Sequence, residues 1–245
     1  ILSAGHKCMA QYAVMAERGI FDKAVLDTYG GFKTKLPGHP DMHKLPGVEA
    51  NTGALGHGLS IGVGMALGLK ADGKPSNVYV VMGDGELAAL AKKQDGSTSG
   101  AYVLLGDGEL AEGSNWEAAA AAAQFGLSNL ALFVDYNGLQ ISGPVEDVMN
   151  FMPVTEKFRS FGWSVREING NDMSEIVKAL DALPFEEGKP SMILAHTVKG
   201  KGVSFAEGKA SYHYWTPSEE ELETAIRETE AEIRRLEAVC GEVRV

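Results

Sequence analysis

Cysteine is scarce in this chain of 245 residues, where only Cys8 and Cys240 are present. They lie far apart and in no metal-ligand spacing, which excludes a cysteine-based metal site. Two free thiols are typical of a reducing compartment, so we expect a cytoplasmic protein. The chain also lacks an apolar run near the roughly 18 residues of a membrane-spanning helix, and it carries no signal-peptide pattern. Because it begins at Ile1 without Met, we expect residues to be missing upstream.

Positive charge is sparse as well. Lys and Arg number 22 against 33 Asp and Glu, which gives a formal net charge of -11. Nucleic-acid binding requires clustered Lys and Arg for the phosphate backbone, so nucleic acid is excluded as the main partner. A small anionic ligand in a local pocket remains compatible with this charge. With 44% hydrophobic residues, the chain can form one domain with a full core.

Five short apolar runs predict buried strands, with helical segments between most of them. Continuous apolar runs are typical of parallel strands that are covered on both faces. Strands alternating with helices predict βαβ units. We therefore expect residues 1–245 to form a single α/β domain, a parallel β-sheet flanked by helices on both faces. The predicted strands are residues 78–82, 101–105, 130–136, 163–168 and 191–196.

A C-terminal helical extension is marked by its first turn. Thr216 is the predicted N-cap, Pro217 takes the first helical position and Glu219 completes a capping box. An apolar stripe follows. We expect this stripe to dock on its own domain, and the alternative is a partner-binding face. Its members are Leu222, Ala225, Ile226, Ile233 and Leu236.

An internal repeat spans the first two predicted strands. Residues 65–88 and 88–111 align at an offset of 23 residues, and both contain Tyr-Val followed by Gly-Asp-Gly-Glu-Leu-Ala. Two copies do not make a solenoid. We interpret the repeat as a tandem duplication or insertion that occupies about residues 84–105. One copy is expected to fill the sheet position and the other to be an insertion.

The second copy ends in Gly106-Asp107-Gly108, between a predicted strand and a predicted helix. Ligands of parallel sheets bind beyond the carboxyl ends of the strands, and glycines let the backbone approach them closely. Asn137 follows the next strand, so Asp107 and Asn137 are expected to lie near each other. Their oxygens suit Mg²⁺ or Ca²⁺, whose coordination a diphosphate would complete. The structural alternative is a simple turn and a strand cap.

The first copy offers a competing pair. Asp84 and Asn115 are separated by nearly the same number of residues as Asp107 and Asn137. However, Asn115 lies at a helix start with no strand before it. In the second copy, Asn137 does follow a predicted strand. We therefore predict Asp107, and not Asp84, as the metal ligand.

Gly106-Asp107-Gly108, the intervening helix and Asn137-Gly138-Leu139 together resemble the thiamine-diphosphate motif of transketolase-like enzymes. The resemblance implies a thiamine-diphosphate-binding fold in which Asp107, Asn137 and the Leu139 carbonyl hold Mg²⁺ or Ca²⁺. It further implies that Gly106 and Gly108 approach the diphosphate and that Ile141 packs against the cofactor rings.

Further segments extend the resemblance over nearly the whole chain. The segment that ends in His6 resembles one that reaches the diphosphate, and Pro37-Gly38-His39-Pro40 resembles one whose histidine faces the substrate. Gly53-Ala54-Leu55-Gly56 resembles the turn that contacts the aminopyrimidine ring, although His57 replaces the usual Gln. The 199–202 loop and His213 resemble a late active-site loop. Glu112 and Glu117 fall where the family has acidic residues that link the two active sites of a dimer. Glu112 is also expected to contact the cofactor.

The implied reaction is transfer of a two-carbon ketol unit from a ketose (phosphate) to an aldose (phosphate), with His39, His213 and His6 as catalytic residues. Nothing after His213 could supply the pyrimidine-binding domain and its activating glutamate. The chain therefore resembles the N-terminal subunit of a split transketolase, active only with a C-terminal subunit in an α2β2 assembly. Alternatives are a split enzyme for a sulfo- or branched ketose and a 1-deoxyxylulose-5-phosphate synthase-like enzyme. A non-catalytic paralogue that binds cofactor or partner is the alternative of another class.

Overall fold

The computed structural model describes residues 2–3, 5–74, 78–81, 101–106 and 108–240. Its strands are β1 (Val78–Val81), β2 (Ala101–Gly106), β3 (Leu130–Tyr136), β4 (Leu139–Gln140), β5 (Gly143–Pro144), β6 (Ser164–Asn169) and β7 (Ser191–His196). Five of them form one parallel sheet in the order β1-β2-β3-β7-β6, and β4 and β5 form a short antiparallel hairpin.

Seven α-helices are found among the described residues. They are α1 (Cys8–Glu17), α2 (His57–Ala71), α3 (Gly113–Gln124), α4 (Val145–Val148), α5 (Val154–Ser160), α6 (Met173–Asp181) and α7 (Glu219–Cys240). In the part of the chain that the structure covers, no helix is both long and apolar enough to cross a membrane.

Helices cover both faces of the sheet. Successive side chains of a strand point to opposite faces, so Leu132 and Val134 pack into one core with α2, α3 and α5. Phe133, between them, packs on the other face with Ile193 and with Ala179 of α6. The predicted α/β fold, a parallel sheet flanked by helices on both faces, is confirmed.

Both copies of the repeat contribute a strand to the sheet. β1 pairs in parallel with β2, and Val78 lies opposite Ala101 and Tyr79 opposite Tyr102, which is the 23-residue offset of the repeat itself. The expectation that only one copy would occupy the sheet is therefore wrong. The backbone N–H and C=O groups on the open side of β2 can pair with any extended segment, and the first copy supplies one. Residues 82–100, which include Gly83-Asp84-Gly85, lie outside the described residues.

The final helix differs from its prediction in two respects. It begins at Glu219 and its capping box is formed by Ser218 and Glu221, since the Ser218 amide donates to the Glu221 carboxylate at 2.9 Å and the Glu221 amide donates to Ser218 Oγ at 3.3 Å. Thr216 therefore does not cap it. The apolar stripe also does not dock on its own domain, because Leu222 and Ile226 are 49% and 50% exposed.

Candidate functional site

A cavity of about 200 Å³ lies beyond the carboxyl end of β2. Side chains and backbone from widely separated segments line it, and six of these residues were predicted from the sequence. The predicted residues are His6, Leu55, Gly106, Gly108, Ile141 and His213, and they are joined by Glu109, Gln140, Ser142 and Val148. The fold therefore brings half of the twelve predicted site residues to one place.

Basic and ring side chains meet on one side of this cavity. The imidazole of His6 lies 6.3 Å from that of His213, measured between ring centroids. Lys199 Nζ lies 3.1 Å from His213 Nδ1, and the Tyr214 ring stacks edge-on against His213 at 4.7 Å. An ammonium group and two imidazoles can together donate several hydrogen bonds to an anionic ligand.

The Gly53-Ala54-Leu55-Gly56 turn is held in conformations that require glycine. Gly53 has a φ of +147°, and a Cβ built on it would lie 2.7 Å from His39 Nδ1. Gly56 has a φ of +79°, and a Cβ there would lie 2.5 Å from Glu112 Cβ. Both approaches are too close for any side chain. The turn thus places His39 directly against Gly53 and Glu112 directly against Gly56.

A second, wider cavity of about 450 Å³ lies beside this turn. Gly53 lines it and does not line the first cavity, and His57 lines it as well. The predicted residues therefore do not all meet in one cavity, since Gly53 lines the second and His39, Glu112, Asn137 and Leu139 line neither. Glu112 and Glu117 are exposed to solvent near the start of α3 and in its second turn, so a role in linking two active sites stays a prediction.

Glu109 connects three segments of the site, and the sequence reasoning missed it. Its side chain is buried, and Oε1 accepts hydrogen bonds from Ser3 Oγ at 3.1 Å and from the Gly56 amide at 2.9 Å. Ser3 Oγ in turn accepts a hydrogen bond from the Gly58 amide at 3.0 Å. The available signal was the identical Gly-Asp-Gly-Glu in both repeats, since a glutamate directly after the ligand turn is brought to the same edge of the sheet.

The start of α3 is attached to the same turn. Asn115 is fully buried, and its Nδ2 donates to the Glu109 carbonyl at 2.6 Å. Ser114 Oγ donates to the Gly56 carbonyl at 2.9 Å. Asn115 is therefore a structural residue of this junction, which agrees with leaving it out of the predicted metal site.

The ends of β2 and β3 lie next to each other, as the sequence predicted. Gly106 is paired with Asp135, and Asn137 follows one residue after the end of β3. Asn137 Oδ1 accepts a hydrogen bond from the Leu139 amide at 3.0 Å, which forms a tight turn. Asp107 lies outside the described residues, so the metal ligand set stays a prediction. Within the described ranges, no three His, Cys, Asp or Glu side chains cluster as a metal site.

The described residues fit a cofactor with an anionic end and an aromatic end. Gly106 and Gly108 leave the cavity open at the edge of the sheet, while His6 and His213 provide hydrogen-bond donors. Apolar side chains form the other wall, namely Leu55, Ile141 and Val148. Asn137 and the Leu139 carbonyl are hard oxygen donors of the type that Mg²⁺ or Ca²⁺ prefers.

Residues 1–230 match the sequence profile of the transketolase, thiamine diphosphate binding domain. The chain belongs to this family. It is 41% identical over 237 residues to an apulose-4-phosphate transketolase subunit of Phocaeicola vulgatus, and the match covers 97% of this chain and 76% of the relative. It is 39% identical over 232 residues to the 6-deoxy-6-sulfo-D-fructose transketolase subunit SqwG of a Clostridium species, covering 95% and 76% of the two chains.

Solved transketolases share this fold. The Campylobacter jejuni transketolase superposes with a TM-score of 0.76 at 31% identity over 94% of this chain, and the Leishmania mexicana enzyme with 0.74 at 28% over 94%. This chain spans 34% and 32% of those two chains, about a third of each. The predicted resemblance to the N-terminal subunit of a split transketolase is confirmed by the family and by relatives that are themselves named as transketolase subunits.

Proposed function

We propose that this chain is the cofactor-binding subunit of a two-chain transketolase that moves a two-carbon ketol unit from a ketose (phosphate) to an aldose (phosphate). The observation that carries the proposal is the convergence of six predicted residues on one cavity beyond β2. Membership of the thiamine diphosphate-binding family supports it. Bound thiamine diphosphate supplies the electron sink for cleavage of the carbon–carbon bond.

The chain's own residues hold the two ends of the cofactor. Gly106 and Gly108 line the cavity and would let the backbone approach the diphosphate, to which His6 would donate hydrogen bonds. Leu55 and Ile141 would pack against the rings. Asp107, Asn137 and the Leu139 carbonyl would hold Mg²⁺ or Ca²⁺, whose task is to anchor the diphosphate.

Two histidines handle the sugar hydroxyls. His213 lines the cavity, and its Nδ1 lies 3.1 Å from Lys199 Nζ, so the lysine can hold the imidazole in position for hydrogen bonding to the sugar. His39 packs directly against Gly53, and the family resemblance assigns it to the substrate. Proton transfer by a positioned imidazole contributes roughly 10²- to 10⁴-fold to a rate.

A second chain completes the enzyme. The pyrimidine-binding half and its activating glutamate come from a complementary C-terminal subunit, in an α2β2 assembly. The relatives named as transketolase subunits support a two-chain organisation. Neither nucleic acid nor membrane takes part in this function.

The metal assignment is tested by calorimetric titration of thiamine diphosphate and Mg²⁺ into the chain assembled with its complementary subunit. We expect Asp107→Ala to abolish measurable binding, because a carboxylate ligand is lost. Asp84→Ala, the equivalent aspartate of the first repeat, is the matched control and should bind as the unaltered chain does. Equal binding by the Asp107→Ala chain would refute the assignment. Absence of binding by the unaltered assembly would favour the non-catalytic paralogue.

The donor sugar is a separate proposal. The relatives named for apulose 4-phosphate and for 6-deoxy-6-sulfo-D-fructose favour a branched or sulfonated ketose over the common sugar phosphates. The assembled enzyme should be assayed with both of these donors, with an unbranched ketose phosphate, and with pyruvate as the donor of a 1-deoxyxylulose-5-phosphate synthase. Highest kcat/KM on the unbranched ketose phosphate would contradict this proposal and leave the transketolase reaction intact.

A further inference from the structure

The last helix exposes an apolar seam along most of its length. We define the α7 seam as Leu222, Ile226, Ile233 and Leu236, whose exposed fractions are 49%, 50%, 49% and 42%. Single exposed apolar side chains are ordinary, but four on one line of a helix form a contiguous patch.

The spacing of the α7 seam is that of a coiled coil. Leu222, Ile226, Thr229, Ile233 and Leu236 are separated in turn by steps of four, three, four and three residues. The average step is 3.5 residues, as in the heptad repeat. With this spacing, the seam keeps facing a partner helix when the two helices supercoil. The seam therefore has the shape to receive another helix.

Hydrogen bonds from its own domain hold α7 by a different side. Glu228 accepts hydrogen bonds from Ser204 Oγ at 2.6 Å and from the Ser204 amide at 2.9 Å. Glu221, one heptad earlier, accepts from Trp215 Nε1 at 3.3 Å. At about 100° per residue, Glu221 and Glu228 lie roughly 105° and 125° around the helix from the centre of the seam. The attachment to the domain therefore leaves the seam facing outward.

The residues that flank the seam carry one sign of charge. Coiled-coil partners are selected by the positions on either side of the seam, and here these are Glu223, Glu230, Glu232 and Glu237, with Ala225. The helix as a whole carries eight Glu and three Arg. Two of the arginines are engaged within the helix, Arg234 with Glu230 at 3.4 Å and Arg235 with Glu232 at 2.6 Å.

A second copy of α7 is a poor occupant for this seam. In an antiparallel pair, Glu223, Glu230 and Glu237 of the two helices would face one another. In a parallel pair, Glu232 of one helix would face Glu237 of the other. Like charges in these positions destabilise a pair, and the net charge of -11 on the whole chain adds to the repulsion.

We propose that the α7 seam binds a partner helix whose apolar stripe is flanked on both sides by Lys or Arg. The inference goes beyond the proposed function and does not depend on cofactor binding, since it rests on the seam, its outward direction and its flanking glutamates. Such an arrangement would fix which partner the chain accepts, because complementary flanking charges decide partner choice in coiled coils.

The test uses fluorescent helical peptides of about 21 residues, a length that helices need in water. One peptide carries Leu along the seam with Lys at the flanking positions, a second replaces those Lys with Glu, and a third scrambles the first. Anisotropy titrations with the full chain should give binding for the Lys-flanked peptide alone. Equal binding of the scrambled or the Glu-flanked peptide would overturn the proposal.

Variants of the full chain locate the binding. Ile226→Glu with Ile233→Glu should raise the dissociation constant of the Lys-flanked peptide at least about tenfold, or about 1.4 kcal/mol. Ala231→Glu with Ala238→Glu adds the same two charges on the far side of α7 and is the matched control, which should change little. An equal loss in this control chain would overturn the location.

A charge reversal keeps the test independent of folding. Glu223→Lys with Glu237→Lys leaves the seam intact, brings the charge of the four flanking positions to zero, and should abolish the preference for the Lys-flanked over the Glu-flanked peptide. Sedimentation velocity supplies the remaining outcome. A dimer of the unaltered chain that Ile226→Glu dissolves would show that a second copy occupies the seam, and that result would overturn the proposal.

Discussion

At the scale of single residues, the site depends on a buried carboxylate that joins separate segments by hydrogen bonds. Glu109 joins the N-terminal segment to the Gly56 turn and to the end of β2 through its contacts with Ser3 and the Gly56 amide. Glu109→Ala would remove this acceptor from a buried position, and an unsatisfied buried donor costs about 1–3 kcal/mol. We expect a loss of that size in the free energy of urea unfolding.

The repeat supplies a matched control for this prediction. Glu86 is the equivalent glutamate of the first copy, and Glu86→Ala should leave the free energy of unfolding nearly unchanged. If the two variants lose equal stability, the special role assigned to Glu109 is wrong.

A comparison of substitutions at Gly56 and Gly19 separates the cost of steric crowding from the cost of backbone strain. Its φ of +79° and the approach of Glu112 Cβ both oppose a side chain, whereas Gly19 has a φ of +71° with nothing nearby. Gly19→Ala should therefore cost only the strain of a positive φ, about 1 kcal/mol. Gly56→Ala should cost clearly more by urea unfolding, and it should also weaken cofactor binding. Equal losses from the two substitutions would mean that the turn can move away from Glu112.

Individual site residues were predictable where a short motif identified them. His6, Leu55, Gly108 and Ile141 belong to local patterns, and the structure brings them to one cavity. Glu109 was not predictable as a link, because its bond to Ser3 spans 106 residues and no local pattern encodes such a contact.

At the scale of elements, the duplicated strand extends the sheet by one position. β1 and β2 pair at the repeat offset of 23 residues, so removing one repeat unit should leave one complete strand in front of α3. We expect a chain lacking residues 83–105, in which Met82 precedes Gly106, to keep its circular dichroism spectrum and its affinity for thiamine diphosphate. Loss of either property would make the extra strand a required part of the site. A deletion of equal length at residues 70–92, which removes the end of α2, should fail to fold.

The positions of the elements along the chain could be predicted from apolar periodicity. Which elements lie next to each other in the fold could not. The strand after Trp163 begins within one residue of its prediction, but it is an edge strand without a buried residue, so the expectation of a buried strand is wrong there. The pairing of β1 with β2 depends on an open sheet edge, which composition does not reveal. The start of α7 was misplaced because Thr216 with Glu219 and Ser218 with Glu221 both match a capping box.

At the scale of the whole molecule, the proposed function makes the cavity one half of a reaction centre. The wall formed by Leu55, Ile141 and Val148 can pack against one side of the cofactor rings, and the Gly53 turn opens onto a wider cavity beside it. An opening of this kind is where a second protein surface would close the site. The fold could be predicted from the sequence, but the surface that would cover this opening in the proposed two-chain enzyme could not.

The final prediction therefore concerns assembly. The chain alone should give no ketol transfer, because the glutamate that activates the cofactor has to come from a complementary subunit. Supplying that second chain should raise the rate in a coupled assay until the two chains are equimolar, as expected when each site needs one copy of both. A chain carrying Asp107→Ala should form the same assembly by sedimentation yet restore no activity, which separates assembly from cofactor binding. Turnover by the unaltered chain alone would refute the division of the site, and saturation far from equimolarity would refute the α2β2 arrangement.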